Sequence, residues 1–181
     1  MGDDKALLPF SGRPLAAHVA QTVHRACGNV TLVGSRSKYV EIGTPVIEDV
    51  MPGLGPLSGI HAALLHSGNR LSMILGCDMP YISAEFLIRL REIAESAGAD
   101  AVVPKSREFG YEPLCAVYAP ACLPFVEAAI ASGDTKIGRI LDRVRLRLVT
   151  ADEWQPYDVD GRLFFNLNTP EDYQKAVTSD K

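Results

Sequence analysis

Four short stretches of this chain carry residue types and spacings that could do chemistry. In "SMILGCDMP" an apolar run ends in Asp78. In open α/β sheets the ligand crevice lies outside the carboxyl ends of the strands, so an acid there is placed to meet a ligand or hold a cation. An ionised carboxylate at the end of a buried strand needs such a partner; capping of the following turn is the alternative role. In "EDVMPGLGPLSGI" the glycines Gly53, Gly55 and Gly59 let backbone approach a ligand closely, and the helix that follows offers free N–H groups. Asp49, just ahead, could accept hydrogen bonds from a base edge or a ribose hydroxyl. A plain loop-to-helix turn explains the same glycines. In "FFNLNTPEDY" a strand would project Asn166 and Asn168 to one face, where two amides could read a polar ring or complete a metal shell, or else satisfy local backbone. Lys5, behind two acids, could act as a point charge for phosphate, although a lysine near a terminus is ordinarily just solvated.

Several chemistries are excluded by what is missing. There is no Gly-x-Ser-x-Gly elbow, no Gly-x-Gly-x-x-Gly and no Walker sequence. His18, His24, His61 and His66 fall on helical stretches with no carboxylate or cysteine at metal spacing, and the four cysteines lie far apart with no Cys-x-x-Cys pair. With 18 Lys+Arg against 22 Asp+Glu the net charge is −4, which gives no field for gripping a nucleic-acid backbone. No apolar run reaches the roughly 20 residues of a membrane span and no signal-peptide pattern begins the chain, so the setting expected is cytoplasmic.

The elements that must position these residues follow from periodicity. At 181 residues one domain is expected. Short β-branched runs alternate with helical stretches, which predicts an α/β fold with a mostly parallel sheet and helices on both faces. Strands are expected at Val30 to Val33, Pro45 to Ile47, Ser72 to Gly76, Ala101 to Val103, Cys115 to Tyr118, Arg147 to Thr150 and Leu163 to Leu167. Helices are expected from Pro14 to Gly28, from Leu57 to near Gly68, after the cap Ser83, from Pro124 to Ser132, from Ile137 to Val144 and from Pro170 onward. The polar stretch from Asp152 to Arg162 reads as a surface loop.

Together, "MGDDKALLPFSGRPL", "DVMPGLGPLSGIHAAL", "ILGCDMPYIS", "EPLCAVY" and "FNLNTPEDY" resemble the molybdenum cofactor guanylyltransferases, the MobA-like nucleotidyltransferases, in the family's order and over nearly the whole chain. The resemblance implies a Rossmann-like fold of the nucleotide-diphospho-sugar transferase type. Residues 1–103 would form the nucleotide-binding half and 104–181 the acceptor-binding half. The implied reaction joins the terminal phosphate of molybdopterin to the α-phosphorus of GTP and releases pyrophosphate. Lys5 matches the lysine that contacts the GTP phosphates, Asp49 and Gly55 belong to the guanosine-holding loop, and Asp78 matches the acid that binds Mg²⁺, with Mn²⁺ as a substitute. Asn166 and Asn168 match the pair on the molybdopterin side of the cleft. Lys5 and Asp78 are thus the residues expected to carry catalysis. The family's base-reading Asn after the second strand has no counterpart here, where Gly34-Ser35-Arg36 stands instead.

The family motif reads LAGGxSxRMGxDK, of which only Met1, Gly2, Asp4 and Lys5 remain. In the family the preceding strand is central, between those expected at Val30 to Val33 and Ser72 to Gly76. Its absence would leave two unpaired edges, at roughly 1 to 3 kcal/mol for each unsatisfied backbone group. The expectation is that the reading frame begins upstream of Met1 and that the chain as it stands is impaired. Two other functions stay open: another nucleotidyl transfer, cytidylyl transfer to molybdopterin or to a sugar or methylerythritol phosphate, and a non-catalytic relative that only binds nucleotide. A monomer or weak homo-oligomer is expected, with cofactor-delivery and acceptor proteins as partners and no nucleic acid or membrane.

Overall fold

The computed structural model describes residues 4–51, 53–106 and 110–179. Met1 and Gly2, the first part of the motif remnant, lie outside the described residues. Asp4 caps a single turn over Lys5–Leu7, its carboxylate accepting from the Ala6 N–H. A small hairpin, β1 (Pro9–Phe10) with β2 (Arg13–Pro14), leads into α1 (Leu15–Cys27). That helix stops at Gly28, whose φ of 78° is open to glycine and whose N–H returns to the His24 carbonyl. β3 (Leu32–Val33) pairs in parallel with β4 (Val46–Ile47), with the short α2 (Arg36–Tyr39) between them. Next come α3 (Pro56–His66), β5 (Ser72–Leu75) and α4 (Ala84–Ala97), the last capped by the Ser83 hydroxyl as its sequence predicts.

The second half supplies β6 (Ala101–Ser106), β7 (Gly110–Tyr111), β8 (Cys115–Tyr118), α5 (Leu123–Ala131), α6 (Ile137–Leu141), β9 (Leu146–Val149), α7 (Ala151–Trp154) and α8 (Pro170–Ser179). The larger sheet runs β5-β8-β6-β7, with β9 also on β6. β5, β6 and β9 point one way and β8 is inserted antiparallel between β5 and β6, so the sheet is mixed and its parallel character is interrupted at one strand.

Alternation along the strands divides the core into two layers. Val102, Cys115 and Val117 pack with Phe86, Leu87 and Leu90 of α4. Ala101, Val103, Ala116 and Tyr118 face the opposite side, against Leu57, Ile60 and Leu64 of α3 and Val126 of α5. Helices therefore cover both faces of the sheet. A smaller cluster of Phe10, Leu15, Leu167 and Ala176 ties the amino-terminal hairpin to α8. The free edges of β3 and β5 border an open groove of about 590 Å³, floored by Val19 and Val23 of α1 and extending to Cys77.

Two expectations fail locally. Leu163 to Leu167 is not a strand: Phe164 is drawn into the α4 core and Leu167 into the hairpin cluster, and its N–H groups go to turns and loops rather than to a ladder. The stretch from Asp152 to Arg162 is not simply a loop, because its start folds into α7. There the Thr150 hydroxyl and the Glu153 carboxylate form a reciprocal cap, and Trp154, the sole tryptophan, is buried with its indole N–H donating to the Lys105 carbonyl.

Glu153 also meets Arg147 through two hydrogen bonds of 3.0 and 2.5 Å, which hold its carboxyl down from 4.5 to about 2. A lowered carboxylate contributes stability that is present above its ordinary value and lost as pH falls through its folded value. Glu153→Gln should therefore lower unfolding stability at pH 7 by about 1 kcal/mol, combining a lost cap and a partly exposed ion pair. Urea titrations at pH 7 and near pH 2 check this; the difference from the unsubstituted protein should shrink across the window from 4.5 to 2.

Candidate functional site

The carboxyl end of β5 is where the chemistry-bearing residues meet. After Leu75 the chain continues through Gly76, whose N–H still reaches the Leu114 carbonyl at 2.7 Å, and Cys77 into a turn that presents Asp78. Asp78 folds back over the strand end. A Cβ added at Gly76 would lie 2.7 Å from the Asp78 Oδ1, so a side chain at position 76 would displace the carboxylate. Burial pushes the Asp78 carboxyl upward, opposed by a hydrogen bond from its own backbone and by the positive charge of Lys5.

The Asp78 carbonyl accepts from the Leu167 N–H at 2.9 Å, which draws the asparagine segment alongside. The Asn168 carbonyl in turn accepts from the Lys5 Nζ at 2.9 Å. Lys5, Asp78 and the backbone around Asn166 and Asn168 are thus gathered from three parts of the chain. The asparagines do not arrive as period-two neighbours on a strand. The Asn166 amide donates to the Phe164 carbonyl, and the Asn168 N–H closes a tight turn onto the Asn166 carbonyl and meets the Asp172 carboxylate. Thr169 and Asp172 cap the start of α8 reciprocally.

Asp49 and Gly55 stand apart from that cluster in the contacts of the described residues. The Asp49 carboxylate accepts from the Met51 N–H at 2.9 Å, stabilising its own turn. Gly55 leads into α3 with φ 61° and ψ −142°, a conformation open to glycine, and its carbonyl accepts from the Ser58 hydroxyl. In the Gly34-Ser35-Arg36 loop, where the resemblance called for an asparagine, a Cβ at Gly34 would strike the Tyr39 ring at 2.5 Å. The Tyr39 hydroxyl passes over this gap to donate to the Asp4 carboxylate at 2.9 Å, which also receives Lys38. Burial first, then Asp4, raises Tyr39, while Cys77 is pushed up to about 11 by burial and by Asp78, so both stay protonated at neutral pH.

One residue at this end escaped the sequence reading. Glu112 precedes β8, is 6 % exposed, and keeps its carboxylate Oε1 without a hydrogen-bond partner among the described residues. It stood within "EPLCAVY", but its burial follows from long-range pairing, its N–H donating to the Pro104 carbonyl of β6. Hard carboxylate oxygens, rather than sulfur or imidazole, are the donors here, and such donors suit Mg²⁺ or Mn²⁺. Among the described residues no cluster of three or more His, Cys, Asp or Glu forms a ready-made metal cage.

A family model of MobA-like NTP transferase domains matches residues 1–149. The chain is 30% identical to the molybdenum cofactor guanylyltransferase of Desulfosudis oleivorans, over 99% of this chain and 89% of that protein. It is 32% identical to a probable molybdenum cofactor guanylyltransferase of Pelotomaculum thermopropionicum, over 97% of this chain and 85% of that protein. Among solved structures, the molybdopterin-guanine dinucleotide biosynthesis protein A of Archaeoglobus fulgidus superposes with a TM-score of 0.81 at 30% identity, covering 98% of this chain and 91% of that one.

Because burial raises Asp78, its charge at pH 7 opposes folding of the ligand-free protein. A raised carboxyl favours the folded state most below its unfolded value and loses that advantage as pH rises through the folded one. Asp78→Asn should therefore raise the melting temperature of ligand-free protein at pH 7 by ~1–3 °C. Melts at pH 4.5 and 7 should show the gain growing with pH; a loss of stability at pH 7 would contradict the burial argument.

Proposed function

The chain belongs to the MobA-like NTP transferase family, and from that membership we propose that it transfers the guanylyl group of GTP to molybdopterin, releasing pyrophosphate, in molybdenum cofactor synthesis. The observation that carries this reading is the meeting of Lys5, Asp78 and the Asn166–Asn168 backbone at one strand end, in a chain similar along nearly its whole length to named guanylyltransferases. A terminal phosphate oxygen of molybdopterin forms a bond to the α-phosphorus of GTP as the bond from that phosphorus to the β-phosphate bridging oxygen breaks. The electron pair leaves with pyrophosphate. Such a transfer asks for alignment and charge neutralisation more than for a protein nucleophile.

The roles divide by position. Lys5 offsets charge on the departing pyrophosphate, and its hydrogen bond to the Asn168 carbonyl fixes where that ammonium can act. Asp78 holds a divalent cation, Mg²⁺ with Mn²⁺ as substitute, which when bound polarises the α-phosphate. Asp49 and Gly55 line the approach of the guanosine, and Asn166 and Asn168 face the acceptor. In this reading residues 1–103 hold nucleotide, 104–181 hold acceptor, and the protein works in the cytoplasm. No helix among the described residues is long and apolar enough to cross a membrane.

Incubating the protein with Mg²⁺, molybdopterin and either GTP or CTP tests the proposal through pyrophosphate release and the dinucleotide product. GTP should be consumed in preference to CTP; the reverse would move the protein to cytidylyl transfer, and binding without pyrophosphate would make it a non-catalytic relative. Lys5→Ala should lower kcat/KM by about a hundredfold, the scale of one well-placed electrostatic group. Gly76→Ala, whose added Cβ displaces the Asp78 carboxylate, should cut kcat at least tenfold with the circular-dichroism spectrum unchanged.

A further inference from the structure

We propose that Tyr111 and Lys105 form a shelf for the ring of the acceptor, Tyr111 stacking on its planar face and Lys105 donating a hydrogen bond to an acceptor atom on the ring edge. The inference rests on the reading that the second half of the chain holds molybdopterin, and it names the part of that molecule the two residues hold.

Strand pairing brings the two side chains together. Lys105 of β6 is the register partner of Tyr111 of β7, and residues directly opposite each other in an antiparallel pair share a face. One step back, the Glu112 N–H donates to the Pro104 carbonyl. Pro104 and Glu112 are therefore the hydrogen-bonded pair, and Lys105 and Tyr111 the alternate kind, whose side chains stand closest. The Lys105 carbonyl points to the other edge of β6, where the indole N–H of the buried Trp154 meets it at 3.1 Å. The backbone under the pair is thus held from both edges.

The pair stands at the same end of the sheet as Asp78. β5 and β6 point the same way, and Val117 of β8 lies opposite both Met73 of β5 and Val102 of β6, so the two strands run level. The carbonyls of Asp100, just before β6, and of Pro104 within it accept from the Ala119 and Glu112 N–H groups. Carbonyls four residues apart on a strand point to one edge, so β7 lies along the edge of β6 that β8 uses, on the side toward β5. Two strand spacings, about 10 Å, separate β5 from β6, a distance that one bound molecule can span.

Helix cover stops short of the shelf. Ala101 and Val103, on the same face as Lys105, are fully buried in the layer that includes α3 and α5, whereas Lys105 is exposed and Tyr111 is 37 % exposed. Neither the Lys105 ammonium nor the Tyr111 hydroxyl has a hydrogen-bond or ion-pair partner among the described residues. An open aromatic ring beside an unmatched cation suits a flat heteroaromatic ring with acceptor atoms along its edge. Stacking asks only for a π-face, and the ammonium supplies direction. The pterin ring of molybdopterin has that form. Guanine has it too, but the proposed division of the chain puts the nucleotide in the other half.

The test is a fluorescence titration of the full chain with pterin-6-carboxylate, repeated with GMP as competitor, beside KM values for molybdopterin and GTP. Tyr111→Ala should weaken pterin-6-carboxylate about tenfold, the scale of one lost stacking contact, and raise the KM for molybdopterin by a similar factor but not that for GTP. Tyr111→Phe, which keeps the ring, should bind as the unsubstituted protein does. Lys105→Met, which keeps the stem and removes the charge, should weaken the pterin about fivefold, with Lys105→Arg recovering part of the loss. Both side chains are exposed, so the melting temperatures of all four variants should match that of the unsubstituted protein. A Tyr111→Ala variant that binds pterin-6-carboxylate unchanged overturns the proposal, and so does one that raises the KM for GTP instead, since the shelf would then hold the base. In either case turnover of molybdopterin with GTP leaves the guanylyl-transfer reading standing. If the unsubstituted protein turns over no molybdopterin yet loses pterin-6-carboxylate on Tyr111→Ala, that reading fails and the shelf stands.

Discussion

A backbone hydrogen bond from the Leu167 N–H to the Asp78 carbonyl is the constraint on which the site depends. It joins the turn after β5 to the segment that leads into α8, elements far apart in sequence. Once that bond is made, the Asn168 carbonyl lies within 2.9 Å of the Lys5 Nζ, so the amino-terminal turn is drawn in as well. Burial of Leu167 against Phe10, Leu15 and Ala176 supports the same join with apolar contact, and it fastens the hairpin, α1 and α8 together behind the site. Each buried aliphatic side chain of this kind is worth roughly 1.5 to 3 kcal/mol relative to exposure, more than the hydrogen bond adds in net terms. The apolar cluster therefore supplies most of the stability, while the hydrogen bond sets the geometry.

The antiparallel insertion of β8 matters for the same reason. In a wholly parallel sheet every strand would deliver its carboxyl end to the site and begin at the far side. Because β8 runs the other way between β5 and β6, the residues leading into it start where those strands end. Glu112 enters there through a turn, its carbonyl accepting from the Cys115 N–H and its own N–H donating to the Pro104 carbonyl of β6. Ser106, the last residue of β6, reaches the same place from the neighbouring strand.

How much of this was legible in the sequence depends on the range of the interaction that decides it. The position of Asp78 just past a strand end was legible because residue type and strand end are local facts, and the Gly28 stop and the Ser83 cap are local too. Asn166 and Asn168 were paired on a strand face that does not form, since the segment is bent by two different cores pulling Phe164 and Leu167 to different places. α7 was hidden because its surface is polar and one residue, Trp154, anchors it; the cap made by Thr150 and Glu153 was the signal available. Asp49 was read by its neighbours in sequence, yet its carboxylate is occupied by the turn it begins. The burial of Glu112 could not be read locally, because it follows from long-range pairing with β6. The family match settled the class of chemistry where spacing alone left turn, cap and ligand roles equally open.

The electrostatics show why the cluster is built with its charges unmatched. A lysine placed against Asp78 as a direct ion pair would lower the cost of burying the acid, but it would also occupy the carboxylate. Here Lys5 lowers Asp78 through space while spending a hydrogen bond on the Asn168 carbonyl, so the carboxylate oxygens stay available. Tyr39 and Cys77, both held protonated, add no compensating positive charge. Burial of the Asp78 carboxylate is therefore a cost to the ligand-free fold that Lys5 only partly offsets. A partner that binds the folded state and not the unfolded chain adds stability in proportion to its differential affinity. In the proposed reading a cation held at Asp78 would recover part of that burial cost, so stability given up by the empty protein would return as affinity for the cation.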